Sequence, residues 1–180
     1  MTRLGEVVKQ FLAQMEWDDE LEDDESVGKS RLATGVRIAG QPCRLYIDTN
    51  EQTDSISVTL YPPFRVGEGQ YAEGCMLINA INYQTRHGRL EIDPSDGELR
   101  VVVSADVEGA EPTAQFISVM LNAAEWMVRH WLPELAAVSL CGRKAAEVLE
   151  AYERRQGDAD EPGEDAFHVP AATAGPRLLN

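Results

Sequence analysis

The feature that most limits the possible folds is the alternation of apolar and polar residues between positions 32 and 60. A period of two is typical of β-strands that bury one face. Turn residues divide this stretch at Gly40-Gln41-Pro42 and at positions 49–54, and Pro62-Pro63 ends it because proline cannot continue a strand ladder. Three consecutive strands are therefore predicted, most simply as an antiparallel meander. In the second strand, one side carries Cys43, Leu45 and Ile47 and the other carries Arg44, Tyr46 and Asp48.

Apolar residues three and four positions apart predict helices on either side of these strands. A first helix is predicted at 4–15 and a second at about 69–87, with Gly88 as its left-handed cap. Two short strands, 89–93 and 99–104, follow around a turn that contains Pro94 and Gly97. The buried stripe of the second helix is expected to consist of Tyr71, Cys75, Ile78 and Ile81.

The rest of the chain is predicted to be helical. A helix should start after Pro112 and be interrupted at Pro133, with a shorter segment at 134–140 and a last helix at 143–155. The order α-β-β-β-α-β-β-α plus a C-terminal helix predicts an α+β domain, in which helices cover an antiparallel sheet. We expect one such domain over residues 1–155, followed by an acidic tail rich in Pro, Gly and Ala over 156–180.

The net charge of the chain disfavours one class of partner, and the distribution of the charge marks two acidic segments. The 180 residues carry 31 acidic and 16 basic side chains, for a net charge of −15, which disfavours a nucleic-acid partner. Seven acids fall within 18–25 and five within 158–165, so the rest of the chain is nearly neutral, with 19 acids against 16 bases. Both runs are predicted to be solvated connectors, since like charges at this density resist packing. A less favoured hypothesis has the tail residues Phe167, Val169, Leu178 and Leu179 docking on the body and masking a partner groove.

The sequence contains no recognisable catalytic or metal-binding motif. Cys43, Cys75 and Cys141 form no C-x-x-C pair, and no histidine has a neighbour at metal-ligand spacing. Cys43 and Cys75 are expected to be small buried residues rather than nucleophiles. No apolar stretch is long enough to span a membrane, and no signal peptide opens the chain, so a cytoplasmic protein without cofactors is expected.

Several motifs resemble the YbjN family of bacterial proteins. They are Leu77-Ile78-Asn79-Ala80-Ile81-Asn82-Tyr83, Gly88-Arg89-Leu90-Glu91-Ile92-Asp93, Asp96-Gly97-Glu98-Leu99 and Trp131-Leu132-Pro133-Glu134-Leu135. The resemblance implies a fold like that of type III secretion chaperones, which are small, acidic, usually dimeric proteins that bind other polypeptides and catalyse no reaction. The family is also associated with sensory transduction.

Four polar or aromatic residues on helices are assigned structural or interface roles. Asn79 and Asn82 lie on one helix face and are expected to bond to a strand backbone or across a subunit boundary. Trp126 and Trp131 are expected to be buried within the monomer or at an oligomer interface.

The leading functional hypothesis is a non-enzymatic, homodimeric adaptor that binds a protein partner. Its candidate contact surface is the sheet face that bears Tyr46, Tyr61 and Val102, with Phe64 nearby. The alternative is a small-molecule sensor or enzyme with a pocket between the sheet and the second helix, lined by Asn79, Asn82 and Tyr83.

Overall fold

A computed structural model describes residues 1–159 of the chain. It contains a six-stranded, fully antiparallel sheet with strand order β1-β2-β3-β4-β6-β5. Four α-helices accompany it: the first three pack on one face of the sheet, and the fourth packs on the second and third helices. The strands are β1 Leu21–Asp24, β2 Lys29–Ile38, β3 Gln41–Asn50, β4 Ser55–Tyr61, β5 Arg89–Ile92 and β6 Leu99–Asp106, and the helices are α1 Arg3–Gln14, α2 Tyr71–Gln84, α3 Ala114–Ser139 and α4 Ala145–Ala159.

The predicted α+β class and the predicted order of elements are confirmed, with one strand added at the start. The meander is antiparallel as predicted. β2 and β3 join through Ala39 and Gly40, which both have positive φ, as a tight hairpin requires. Side chains alternate along the strands, so that Leu45, Ile47, Val58 and Leu60 lie in the core while their neighbours face outward.

The additional strand corrects the interpretation of the first acidic run, which was predicted to be a solvated connector. Residues 21–24 form β1 at the edge of the sheet. Leu21 packs against the core, and the Asp23 carboxylate accepts hydrogen bonds from the hydroxyls of Thr2 and Ser30, both at 2.7 Å. The packing of Leu21 and the hydrogen bonds to the Asp23 carboxylate compensate for the charge density of this strand.

Pro133 does not interrupt its helix, contrary to the prediction: α3 continues for 26 residues. The proline lies on the exposed side, where water can solvate the carbonyl that loses its amide partner. Trp131, Leu135 and Val138 are buried on the other side, and their packing keeps the helix continuous.

Three smaller predictions also need correction. α2 starts at Tyr71 after one 3-10 turn and ends at Gln84, not at His87. Cys75 is exposed, because Gly74 takes the inward position and allows Val66 and Ile92 to approach closely. The last helix, predicted at 143–155, spans Ala145–Ala159 as α4. The hypothesis that Phe167, Val169, Leu178 and Leu179 dock on the body lies outside the described residues.

Candidate partner-binding face of the sheet

Within residues 1–159, helices cover one face of the sheet, and none of them covers the other face. We call this second surface the open face. It presents the outward side chains of the strands, among them Tyr46 of β3, Tyr61 of β4 and Val102 of β6. The alternation that buries Leu45 and Leu60 in the core is what turns Tyr46 and Tyr61 outward. Three of the four predicted contact residues are therefore on one surface.

Strand register arranges the open-face side chains in rows. The central row has a small-residue floor, where Thr59 and Val102 pair directly and are each less than a tenth exposed. A row with Arg31 and Ser104 flanks it on one side, and a row with Arg44 and Tyr61 flanks it on the other. The central row itself consists of Ala33, Tyr46, Thr59, Val102 and Arg89. Together these rows line a shallow depression of about 470 Å³.

The two tyrosines are held in place by contacts with each other and with arginines. Their rings meet edge to face with centroids 5.5 Å apart. The Arg44 guanidinium lies 4.6 Å from the centroid of the Tyr61 ring, and that of Arg31 lies 5.6 Å from the Tyr46 ring. Such contacts favour a preorganised surface, since cations bind the faces of aromatic rings.

Carboxylates hold these arginines in turn. Arg31 donates to Asp48 at 2.6 Å, and Arg44 donates to Glu98 at 2.6 Å. Glu91 accepts from both Arg89 and Arg100. Burial alone would raise the pKa of Glu91, but these two hydrogen-bonded guanidinium groups outweigh it and lower that pKa.

The open face is not uniform in charge along the sheet. Toward β1 the depression continues into a wider one of about 950 Å³, whose margin carries Glu22, Asp24 and Glu25. Arg89 and Arg100 lie at the other end, on β5 and β6, and Arg44 lies between the two ends on β3. Sequence reasoning singled out the tyrosines and missed these arginines. The signal was present in the alternation, which already placed Arg44 on the side of Tyr46.

Phe64, the fourth predicted contact residue, follows the end of β4 and packs partly against the hydrophobic core. The open face is therefore defined here without it.

The helix residues that were assigned structural or interface roles occupy different environments. Asn82 bonds to the backbone of β5: its amide donates to the Leu90 carbonyl and its oxygen accepts from the Leu90 N–H, both at 2.9 Å. Asn79 is exposed on α2. Trp131 is buried against Tyr152, whereas Trp126 is half exposed and stacks on His130 with ring centroids 4.6 Å apart. The single chain therefore does not bury Trp126, and its burial at an oligomer interface stays a prediction.

The polar groups required by the small-molecule hypothesis do not converge. Tyr83 is 91% exposed, Asn79 faces solvent, and Asn82 is occupied by β5. The inward side of α2 is filled by Leu77, Ile78 and Ile81. These three polar residues therefore do not line a common pocket between α2 and the sheet.

Of the three cysteines, only Cys43 is buried. Burial raises the pKa of the Cys43 thiol to about 11, so this thiol is protonated at neutral pH. Within residues 1–159, no group of three His, Cys, Asp or Glu side chains is placed to hold a metal ion. Over the same range, no helix is both long and apolar enough to cross a membrane.

Two solved structures align with this chain. A solved structure titled "Crystal Structure of the ExsC-ExsE Complex" contains a chain that aligns with a TM-score of 0.53 and 11% identity, covering 75% of this chain and 97% of that one. A second, titled "Crystal structure of YbjN, a putative transcription regulator from E. coli", aligns with a TM-score of 0.47 and 11% identity over 72% and 92%. No curated protein matches the sequence.

The first of these structures confirms the predicted type III secretion chaperone-like fold. At the level of sequence, the model of the YbjN family, described as "Putative bacterial sensory transduction regulator", matches residues 5–137. That span includes every strand and the first three helices almost completely. The chain belongs to the YbjN family.

Proposed function

We propose that this protein is a non-enzymatic, chaperone-like adaptor of the bacterial cytoplasm, which binds another polypeptide on the open face and takes part in signal transduction. The observation that carries the proposal is the open face itself. Tyr46 and Tyr61 form an aromatic pair at the centre of a sheet surface that no helix within residues 1–159 covers. Partly exposed tyrosines beside arginines are the residue types most enriched at protein interfaces.

Family and fold support a role in protein binding. The YbjN family is described as regulatory, and the fold is shared with a chain from a structure of two associated proteins, ExsC and ExsE. The lack of convergence among Asn79, Asn82 and Tyr83 favours this proposal over the small-molecule alternative.

The partner-binding proposal is tested by affinity capture from the native cell with the full chain as bait. The variant Tyr46→Asp with Tyr61→Asp places two charges at the centre of the open face and should abolish recovery of the partner. Val27→Asp adds a carboxylate at an exposed apolar position in the β1–β2 turn, and this control for added surface charge should recover the partner normally. Equal recovery by both variants would exclude the open face, provided that circular dichroism shows both to be folded.

The proposal includes a homodimer, and α2 supplies the support. Its inward side packs on the core, yet its outward side carries Met76, 55% exposed, and Tyr83, 91% exposed. Ala72 and Asn79 lie on the same outward stripe at three- and four-residue spacing. A helix whose inward and outward sides are both apolar is typically packed against other elements on both sides.

Light scattering measures directly the mass of the protein in solution and so tests the homodimer. A dimer should have about twice the 19.9 kDa of the monomer, and Met76→Lys with Tyr83→Glu should restore the monomer mass. A monomer mass for the unmodified chain at micromolar concentration would contradict the homodimer. It would leave the partner-binding proposal standing, because the two surfaces are on different elements.

A further inference from the structure

The open face concentrates arginines in a chain that is otherwise acidic. Arg31, Arg44, Arg89 and Arg100 come from four different strands and surround the floor formed by Thr59 and Val102 in the 470 Å³ depression. All four side chains are about half exposed. The strands involved run from β2 to β5, so the arginines span about 19 Å at the usual spacing of paired strands.

The carboxylates on this surface orient the arginines but do not saturate them. Glu91 is the acceptor for both Arg89 and Arg100, and Glu98 serves both Arg44 and Arg65. A guanidinium has five N–H donors, and none of these arginines uses more than a part of them in the contacts described. The surface therefore retains fixed, outward donors that suit a second carboxylate.

The dimensions and spacing of these donors fit an extended peptide. An extended chain rises about 3.3 Å per residue, so about six residues cross the distance between Arg31 and Arg89. Side chains on one side of such a peptide recur about every 6.6 Å, a spacing that can place acidic residues over successive arginines. The apolar floor at Val102 leaves room for intervening small side chains.

A nucleic acid fits the same surface less well. Arginines already occupy faces of both tyrosine rings, which are the surfaces that would stack on bases. Asp48, Glu91 and Glu98 lie among the arginines and would repel a continuous line of phosphates. The separate carboxylates of a peptide can instead lie beside the arginines and away from these acidic side chains. Planar guanidinium groups bind carboxylates in bidentate fashion.

We propose that the partner segment bound on the open face is an extended acidic peptide, held by Arg31, Arg44, Arg89 and Arg100 around the Tyr46–Tyr61 pair. This inference rests on the proposed function and specifies the chemistry of its partner. It also limits where the acidic residues of the bound peptide lie. They should lie over the arginines from β2 across to β5 and not over β1, where Glu22, Asp24 and Glu25 are exposed.

The test is a fluorescence-anisotropy titration of the full chain with a labelled synthetic peptide of about eight residues, in which glutamate alternates with alanine. The control peptide has glutamine at every glutamate position. A second background replaces the five acids at 158, 160, 161, 164 and 165 with the corresponding amides, so that the chain's own acidic segment cannot compete. A single-stranded oligonucleotide of the same net charge serves as the competing class of ligand.

The key variant is Arg44→Gln with Arg100→Gln. It leaves Glu98 with Arg65 and Glu91 with Arg89, so neither carboxylate loses its last partner. Arg86→Gln with Arg143→Gln removes the same charge from exposed positions outside the sheet and is the matched control. If circular dichroism shows that the key variant is unfolded, Arg44→Lys with Arg100→Lys replaces it. This pair of substitutions keeps the charge but removes the planar guanidinium group.

The acidic peptide should bind, the glutamine peptide should bind much more weakly, and the key variant should lose about tenfold in affinity while the matched control does not. Absence of binding in both backgrounds, equal affinity for the key variant, or tighter binding of the oligonucleotide would each overturn the inference. The affinity capture with the Tyr46→Asp, Tyr61→Asp variant separates the proposed function from the proposed acidic chemistry of the partner. If that variant loses the partner while the acidic peptide fails to bind, the function stands and only the acidic chemistry is wrong.

Discussion

Leu45 and Tyr46 are neighbours in β3, yet they belong to surfaces with different requirements. Leu45 is fully buried beneath the helices, whereas Tyr46 lies on the open face within reach of Tyr61 and Arg31. The covered side of the sheet depends on complementary packing, and the open side depends on a pattern of charges and rings that water can reach. A single strand thus contributes alternate residues to the core and to the proposed binding surface, and mutations at adjacent positions should have separable effects.

The largest expected difference comes from a pair of adjacent substitutions. Leu45→Ala should lower the free energy of unfolding by about 2–5 kcal/mol, because it leaves a cavity in a close-packed core. Arg44→Ala should lower it by less than about 1 kcal/mol, since its exposed ion pair with Glu98 is screened by water. Urea unfolding followed by circular dichroism measures both. Similar losses for the two variants would contradict the division between the faces.

A polar contact on the covered side should have the next largest effect. Asn82→Ala removes both hydrogen bonds to Leu90 and leaves a backbone N–H and a carbonyl of β5 without these partners. The expected loss of stability is about 1–3 kcal/mol. Asn79→Ala, one turn earlier on the exposed side of α2, should change the stability of the monomer by less than about 0.5 kcal/mol. Equal effects would show that the bonds to Leu90 do not support β5.

Acid should weaken the attachment of β1. Hydrogen bonds from Ser30, and then from Thr2, lower the pKa of Asp23 below its usual value. This lowering stabilises the fold at pH values above the unfolded-state pKa of about 3.9, and the stabilisation is lost as the pH falls through the lower folded-state pKa.

The Asp23→Asn variant should therefore be less stable than the unmodified chain at neutral pH, and the difference should shrink as the pH falls below about 4. Thermal unfolding of both proteins at a series of pH values measures this difference in stability. Glu22→Gln, on the outward side of the same strand, is the control because it removes a charge without touching Thr2 or Ser30. A difference that stays constant with pH would show that the ionised carboxylate of Asp23 does not hold β1.

The covered side of the sheet was largely predictable from the sequence, and its exceptions have physical causes. The alternation around Leu45 indicated both the strand and its buried face. β1 was missed because its acidic composition conceals a single inward carboxylate, whose partners Thr2 and Ser30 lie 21 and 7 residues away in the sequence. Pro133 misled the helix prediction because local propensity does not reveal which side of a helix is packed.

The open face was predictable only in part. Alternation placed Tyr46 outward with Arg44, but the grouping with Arg89 and Arg100 depends on β6 pairing with β4, between elements that are remote in sequence. The exposure of Trp126 and the inward position of Gly74 likewise depend on how helices pack, which one-dimensional periodicity does not determine.

The central claim, that the open face is the binding surface, is tested most directly by hydroxyl-radical footprinting of the full chain with and without its captured partner. Labelling of Tyr46 and Tyr61 should fall when the partner binds. Labelling of Tyr83, on the outward side of α2, and of Trp126, on α3, should stay the same. If Tyr46 and Tyr61 keep their labelling while Tyr83 or Trp126 becomes protected, the partner binds on the helical side and the account is wrong.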